Sequence, residues 1–307
     1  MQPDAVALAD ELSLTYVFAF YSQRSKDAAS ARALGERAIA VLDELLARQP
    51  EHPDILATQI ANLADLWAYL RSLEPGAATT GNAPLRERAH QLATQLRRVA
   101  PQRLDGYTAP AMLEITAAEY AHDRRFSEPA TVQRAGQLLT AARKAGLDVP
   151  EGIDAWFATE RLRETLLSDA APPDAALAAA HAALAPALAN DDDTDGQMLA
   201  RLTDLQLTVA ELQWRQRKQL PTAAIIQHGV TSYRRLLDSS RDLGDGHCDG
   251  GDLLLARAQQ NHGATRQRDA HDAVTAFRAC IDGSPLAYGY RRPDLDAALA
   301  LLADDPS

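Results

Sequence analysis

The sequence predicts an all-α fold, a right-handed α-solenoid of about six helical hairpins closed by a C-terminal capping helix. Three observations predict it. First, 46% of the 307 residues are apolar but only 5% are aromatic, and alanine is abundant throughout. Alanine has the highest helix propensity and lets helices approach closely. Second, no window alternates valine, isoleucine and threonine with polar residues as a half-buried strand does. Third, one helical pattern recurs along the chain. A single core stops growing near this length, so extension by repetition is expected.

The recurring pattern is a small residue, a large apolar one four later, an apolar or small one three later, then a break. It reads Ala38, Leu42, Leu45, Pro50; then Ala89, Ala93, Leu96, Pro101; then Ala135, Leu139, Ala142, ending near Gly146 and Leu147. The later copies are Ala180, Leu184, Ala187 running into the turn Asp191 to Asp193; Gly229, Tyr233, Leu236; and Ala273, Phe277, Cys280, Pro285. First positions lie 51, 46, 45, 49 and 44 residues apart. Steps of four and three keep these residues on one helical face, and the small residue marks the closest approach of a partner helix.

An apolar helical segment precedes each copy, at roughly 54–73, 106–122, 151–168, 195–217 and 249–262. Pro53-Asp54 and Asp105-Gly106 supply local starts, and loops such as Glu74 to Pro84 separate the helices of a pair. The first apolar run, Leu12 to Tyr21, reads as a buried first helix. The hairpins therefore fall at approximately 4–50, 54–101, 105–147, 151–190, 195–241 and 249–285, with a cap at 293–303, as a single repeat domain over 1–307.

These positions resemble the tetratricopeptide repeat. Its second helix carries small, apolar or aromatic, alanine and proline positions at the same intervals. Its first helix has a large, large, small, large spacing that Ile60, Leu63, Ala64 and Trp67 match, and Leu113, Thr116, Ala117 and Tyr120 follow less closely. The period here exceeds the usual 34 residues, so helices or loops are longer. Asp252-Leu-Leu-Leu-Ala-Arg-Ala-Gln259 and Pro285-Leu-Ala-Tyr288 are also similar to C-terminal regions of bacterial serine/threonine protein kinases. The kinase motifs themselves are missing: no Gly-rich loop with its strand lysine, no His-Arg-Asp loop, no Asp-Phe-Gly, and His122-Asp123-Arg124 matches nothing catalytic. The resemblance implies a non-catalytic scaffold or sensor module.

In that family the first helices line a groove. Carrying its positions over places Thr58, Asp65, Tyr69, Glu114, His122 and Arg215 toward a partner, although the same residues also suit solvated helix faces. The two-Lys and Asn clamp of chaperone-binding relatives is missing, with Ala61, Asp65 and Tyr69 at three of its places. A net charge of −11 disfavours nucleic acid and anionic membranes and favours a basic or neutral protein or peptide. No stretch reaches the length of a membrane span, and no signal peptide is evident, so a cytoplasmic protein is expected. A fragment of a membrane-anchored kinase would instead be extracytoplasmic.

Chemical motifs are incomplete. Asp191, Asp193 and Asp195, followed by Gly196, begin like a calcium loop, but the twelfth position is Leu202 rather than a glutamate. An acidic loop before a helix is the preferred reading. Asp245-Gly-His247-Cys248-Asp249 offers one short His/Cys pair, with His262 and His271 at no recognised zinc spacing. No metal and no cofactor is assigned. Cys248 and Cys280 fall at the same end of the last hairpin, where a disulfide is conceivable, but a buried structural cysteine at the Cys280 core position explains it without oxidation and is the preferred reading. Trp67, Trp156 and Trp214 fall in three first helices and read as core, with an exposed peptide anchor as the alternative. Two other classes stay open. One is an enzyme whose site is assembled between repeats, favoured by a cavity where pKa-perturbed acids or histidines converge. The other is a self-associating structural protein.

Overall fold

The computed structural model describes residues 3–73, 82–168, 174–189, 195–238, 243, 245–283 and 285–303. All regular structure among them is helical. The first five helices are α1 (Pro3–Gln23), α2 (Ala28–Arg48), α3 (Pro53–Ser72), α4 (Ala83–Val99) and α5 (Asp105–Asp123). Next come α6 (Pro129–Lys144), α7 (Glu151–Leu167), α8 (Asp174–Leu188), α9 (Asp195–Arg217) and α10 (Ala223–Leu237). Then follow α11 (Asp245–Gln260), α12 (Gly263–Gly283), the single turn α13 (Pro285–Tyr288) and, after a 3-10 turn, α14 (Arg292–Ala303). Among the described residues no helix is long and apolar enough to cross a membrane.

Local chemistry sets the ends. The Asp27 carboxylate accepts from the Ala29 and Ser30 amides and caps α2. Pro53 occupies the first turn of α3, where its missing N–H costs nothing, and Asp54 complements the helix dipole. Gly146, at φ +76°, ends α6 in the left-handed conformation. There the Leu147 amide donates to Ala142 and the Gly146 amide to Arg143, the paired bonds of a Schellman closure.

The chain divides into two compact units, 1–160 and 161–307, with the boundary inside α7, whereas the sequence reads as a single repeat domain. In the first unit α1 packs on α2, α3 on α4 and α5 on α6, and α3 also packs on α2 and α5. Its core gathers Phe20, Leu56, Ile60, Leu63, Leu66 and Trp67 against Ala89, Ala93 and Leu96. In the second unit α8 packs on α9, α9 on α10, α10 on α11 and α11 on α12, and α14 covers α12. Val209, Leu212, Val230, Tyr233, Leu253 and Phe277 form its larger core. A smaller cluster joins Leu166, Leu177, Leu207 and Trp214.

The second-helix register is interior in five copies: Ala38, Leu42 and Leu45; Ala89, Ala93 and Leu96; Ala135, Leu139 and Ala142; Tyr233 and Leu236; Ala273, Phe277 and Cys280 are all buried. Gly229 is buried too, and a Cβ there would stand 2.6 Å from Leu253 Cδ2 and 2.8 Å from Thr208 Cγ2. A side chain there would force the buried Leu253 and Thr208 to shift. The fourth copy departs from the rest, with Ala180 and Leu184 half-buried. Its neighbours in α8 are mostly alanines, which offer little surface to bury. The expectation of a buried first helix needs correction as well. In α1, Leu8 is 67% and Phe18 72% exposed, and Leu12, Leu14 and Tyr21 are exposed too. The helix is apolar on most of its circumference, while its packing partners α2 and α3 cover only part of it.

Candidate functional site

Two buried acids on first helices, Glu114 and Asp204, each meet basic residues from the flanking second helices. In the first unit, Glu114 on α5 is fully buried. Its Oε1 accepts from Arg86 Nε at 2.8 Å and contacts His90 Nε2 at 2.7 Å, both from α4. Its Oε2 accepts from Arg134 Nε of α6 at 2.8 Å and from Arg86 Nη2 at 2.5 Å. Burial opposes the charge, but the bonds from His90, Arg86 and Arg134 outweigh it and hold the pKa down to about 2.

The second unit carries a counterpart built of different residues. Asp204 on α9 is fully buried. His228 Nε2 from α10 lies 3.0 Å from Oδ2 and 3.2 Å from Oδ1, and the Ser232 hydroxyl donates to Oδ2 at 2.9 Å. His181 from α8 places Nδ1 3.4 Å from Asp204 Oδ1 and Nε2 3.4 Å from Glu211 Oε2. Glu211, about two turns further along the same face of α9, also accepts from Arg215 Nε at 2.6 Å. Hydrogen bonds to Asp204 and then Glu211 raise His181 to about 9 despite burial, and the bond to Asp204 raises His228. Burial favours protonation of Asp204 and Glu211, yet their partners overcome it and lower both. A cavity of about 480 Å³ opens beside this cluster, lined by His181, Asp204, His228 and Ser232 with Arg201 and Arg235.

Of the six residues that sequence reading assigned to a groove, three are interior and three are half-buried. Glu114 is interior, and so is His122, whose Nδ1 sits 2.5 Å from Glu160 Oε2. Tyr69 is buried edge-on against Phe20. Buried side chains are not available to a partner, so these three act inside the first unit. Asp65 is half-buried and accepts the Tyr21 hydroxyl at 2.7 Å, while Thr58 is half-buried. Arg215 is half-buried on Glu211. Asp191 and Asp193 lie outside the described residues, and Asp195 opens α9 with its side chain undescribed. Of the second motif, His247 meets the Tyr233 hydroxyl at 3.0 Å, and α11 begins at Asp245 rather than near Asp249. Cys248 and Cys280 are joined as a disulfide with Cα atoms 5.3 Å apart. Trp67 and Trp214 are core, while Trp156 is half-buried.

Sequence reading missed the Asp204 cluster, although a signal existed. His90 follows the small residue Ala89 and His181 follows Ala180; Arg134 precedes Ala135 and His228 precedes Gly229. Those offsets put a basic side chain beside the point of closest helix approach, facing the neighbouring first helix. Compared with protein-family models, curated proteins and solved structures, the chain matches none of them.

Proposed function

We propose that the chain is a non-catalytic binding module for polypeptides, an α-solenoid of tetratricopeptide-like hairpins whose first helices face the bound segment. The observation that carries this reading is the succession of helix pairs α1–α2 to α11–α12, with one small-and-apolar register interior in five second helices. Stacked hairpins offer extended surfaces rather than deep clefts, which suits a polypeptide. On α3, Ala61 is exposed, and Thr58 and Asp65 beside it are half-buried. The net charge of −11 favours a basic or neutral segment.

The cavity at Asp204 favours a second reading, an enzyme with a site between helices. The pKa directions argue against acid–base work there. Asp204 and Glu211 are pushed down and His181 is pushed up to about 9, which fixes their charges near neutral pH. A general acid or base works best with its pKa near the working pH.

Selection of a displayed random-peptide library on the purified chain, followed by photo-cross-linking, tests the binding reading. A photoreactive residue at Ala61 of α3 is expected to capture the enriched peptides, and one at exposed Gln91 of α4 is not. Equal capture at both positions, or no enrichment, overturns it.

A further inference from the structure

We infer that His181, Asp204 and His228 form a site for a divalent transition-metal ion of the zinc class, a property that goes beyond polypeptide binding and does not depend on it. Among the described residues these three are the one group of three or more His, Cys, Asp or Glu residues whose ligand atoms all lie within 4.8 Å of one another. They come from three consecutive helices, α8, α9 and α10, so packing of the backbone fixes their approach.

The distances suit a small ion. Zinc sits roughly 2.0–2.2 Å from nitrogen and oxygen ligands, so the edges of a tetrahedral site are about 3.4 Å. His181 Nδ1 to Asp204 Oδ1 is already 3.4 Å, and His228 Nε2 to Asp204 Oδ1 is 3.2 Å. The remaining edge, between the histidines, is at most 4.8 Å, and binding requires it to shorten toward the tetrahedral value. Two imidazoles and one carboxylate are a borderline nitrogen and oxygen set, which suits zinc and its neighbours better than calcium or magnesium.

The surroundings are those of a ligand set. A metal-bound histidine usually gives its other ring N–H to a carboxylate. His181 places Nε2 toward Glu211, which Arg215 in turn holds. Ser232 donates to Asp204 Oδ2, which His228 Nε2 also approaches at 3.0 Å, while Oδ1 lies within 3.4 Å of both histidines. The fourth position opens on the 480 Å³ cavity, as in sites that keep a place for water or a ligand.

The comparison with Glu114 sharpens the inference. That acid is neutralised by two arginines and one histidine. Guanidinium groups have no lone pair to offer a metal. At Asp204 both partners are imidazoles, each of which offers a lone pair once the entering metal ion displaces its proton to solvent. Ion pairing alone accounts for the arginines in the first unit. It does not account for a lone-pair donor on either side of Asp204, with an open cavity at the junction.

The test is titration of the chelator-stripped full chain with Zn(II) by calorimetry, and with Co(II) by visible absorption. One equivalent is expected to bind below about 10 µM, with the intense visible bands of low-coordinate cobalt. The double variant His181→Ala/His228→Ala is expected to lose this binding. His228→Gln, at a side chain that is 45% exposed and tolerant of change, is expected to weaken it at least tenfold, and Glu211→Gln about tenfold through its hold on His181. His262→Ala, at an exposed histidine away from the cluster, should leave it unchanged. Absence of stoichiometric binding, or equal binding by wild type and the double variant with helicity retained, overturns the site. Neither result bears on peptide capture at Ala61.

Discussion

Replacing Glu114 by Gln tests whether acid-centred clusters hold neighbouring helices together. Three basic side chains from α4 and α6 converge on this one carboxylate, which has no exposure of its own. The fall in pKa from 4.5 to about 2 corresponds to about 3 kcal/mol of stability when the acid is charged. Because the folded pKa is depressed, that contribution is complete above the unfolded value and disappears as pH falls through the folded one. At pH 7 Glu114→Gln is therefore expected to destabilise the first unit by about 3 kcal/mol, and by only about 1 to 1.5 kcal/mol at pH 3. Urea unfolding followed by tryptophan fluorescence reads this in a Trp214→Phe background. The remaining Trp67 and Trp156 both belong to the first unit, and the Arg86 guanidinium lies 5.6 Å from the Trp67 ring centroid. A loss below 1 kcal/mol at pH 7, or an equal loss at both pH values, would refute the reasoning.

Other consequences follow from packing and covalent links. Gly229→Ala is expected to lower the thermal midpoint of the second unit, because its Cβ enters a contact of 2.6 Å with Leu253 and overpacking costs about 1–3 kcal/mol. Gly152→Ala, with open space around it, should instead raise stability by up to about 1 kcal/mol through helix propensity alone; the same sign for both would contradict the packing. Cys248→Ser/Cys280→Ser opens a loop spanning 32 residues, with an expected loss of roughly 3–4 kcal/mol and a midpoint lowered by on the order of 10 °C. Two thiols titrating in the native, unreduced chain would refute that. Phe18→Glu on α1, 72% exposed, is expected to change stability by less than about 0.5 kcal/mol, and a loss above 2 kcal/mol in thermal unfolding would show that the face is covered.

The helices were legible because their causes are local. Pro53, Asp105 and the breaks near Pro50, Pro101 and Gly146 mark ends that the backbone respects, and the four-three register gives the buried face. The first unit's core around Ile60 and Trp67 follows from that register. Exposure of α1 was not legible, since an apolar run shows what could be buried and not what lies against it. The fourth copy shares the pattern but lacks bulk, so pattern alone overstates its burial. The candidate site was hidden for another reason. His181, Asp204 and His228 are separated by 23 and 24 residues and meet only when three helices pack, so no short motif contains them. Glu114 and His122 show the converse error, since a position borrowed from a resemblance carries no information on whether local partners have already claimed the side chain.

The claim that the chain binds a polypeptide along its first helices is tested most directly by calorimetric titration of one library-enriched peptide into the full chain. The account predicts saturation at one peptide per chain with a Kd below about 100 µM and a negative heat-capacity change from buried apolar surface. Enriched peptides that give no saturable heat at any temperature would contradict it.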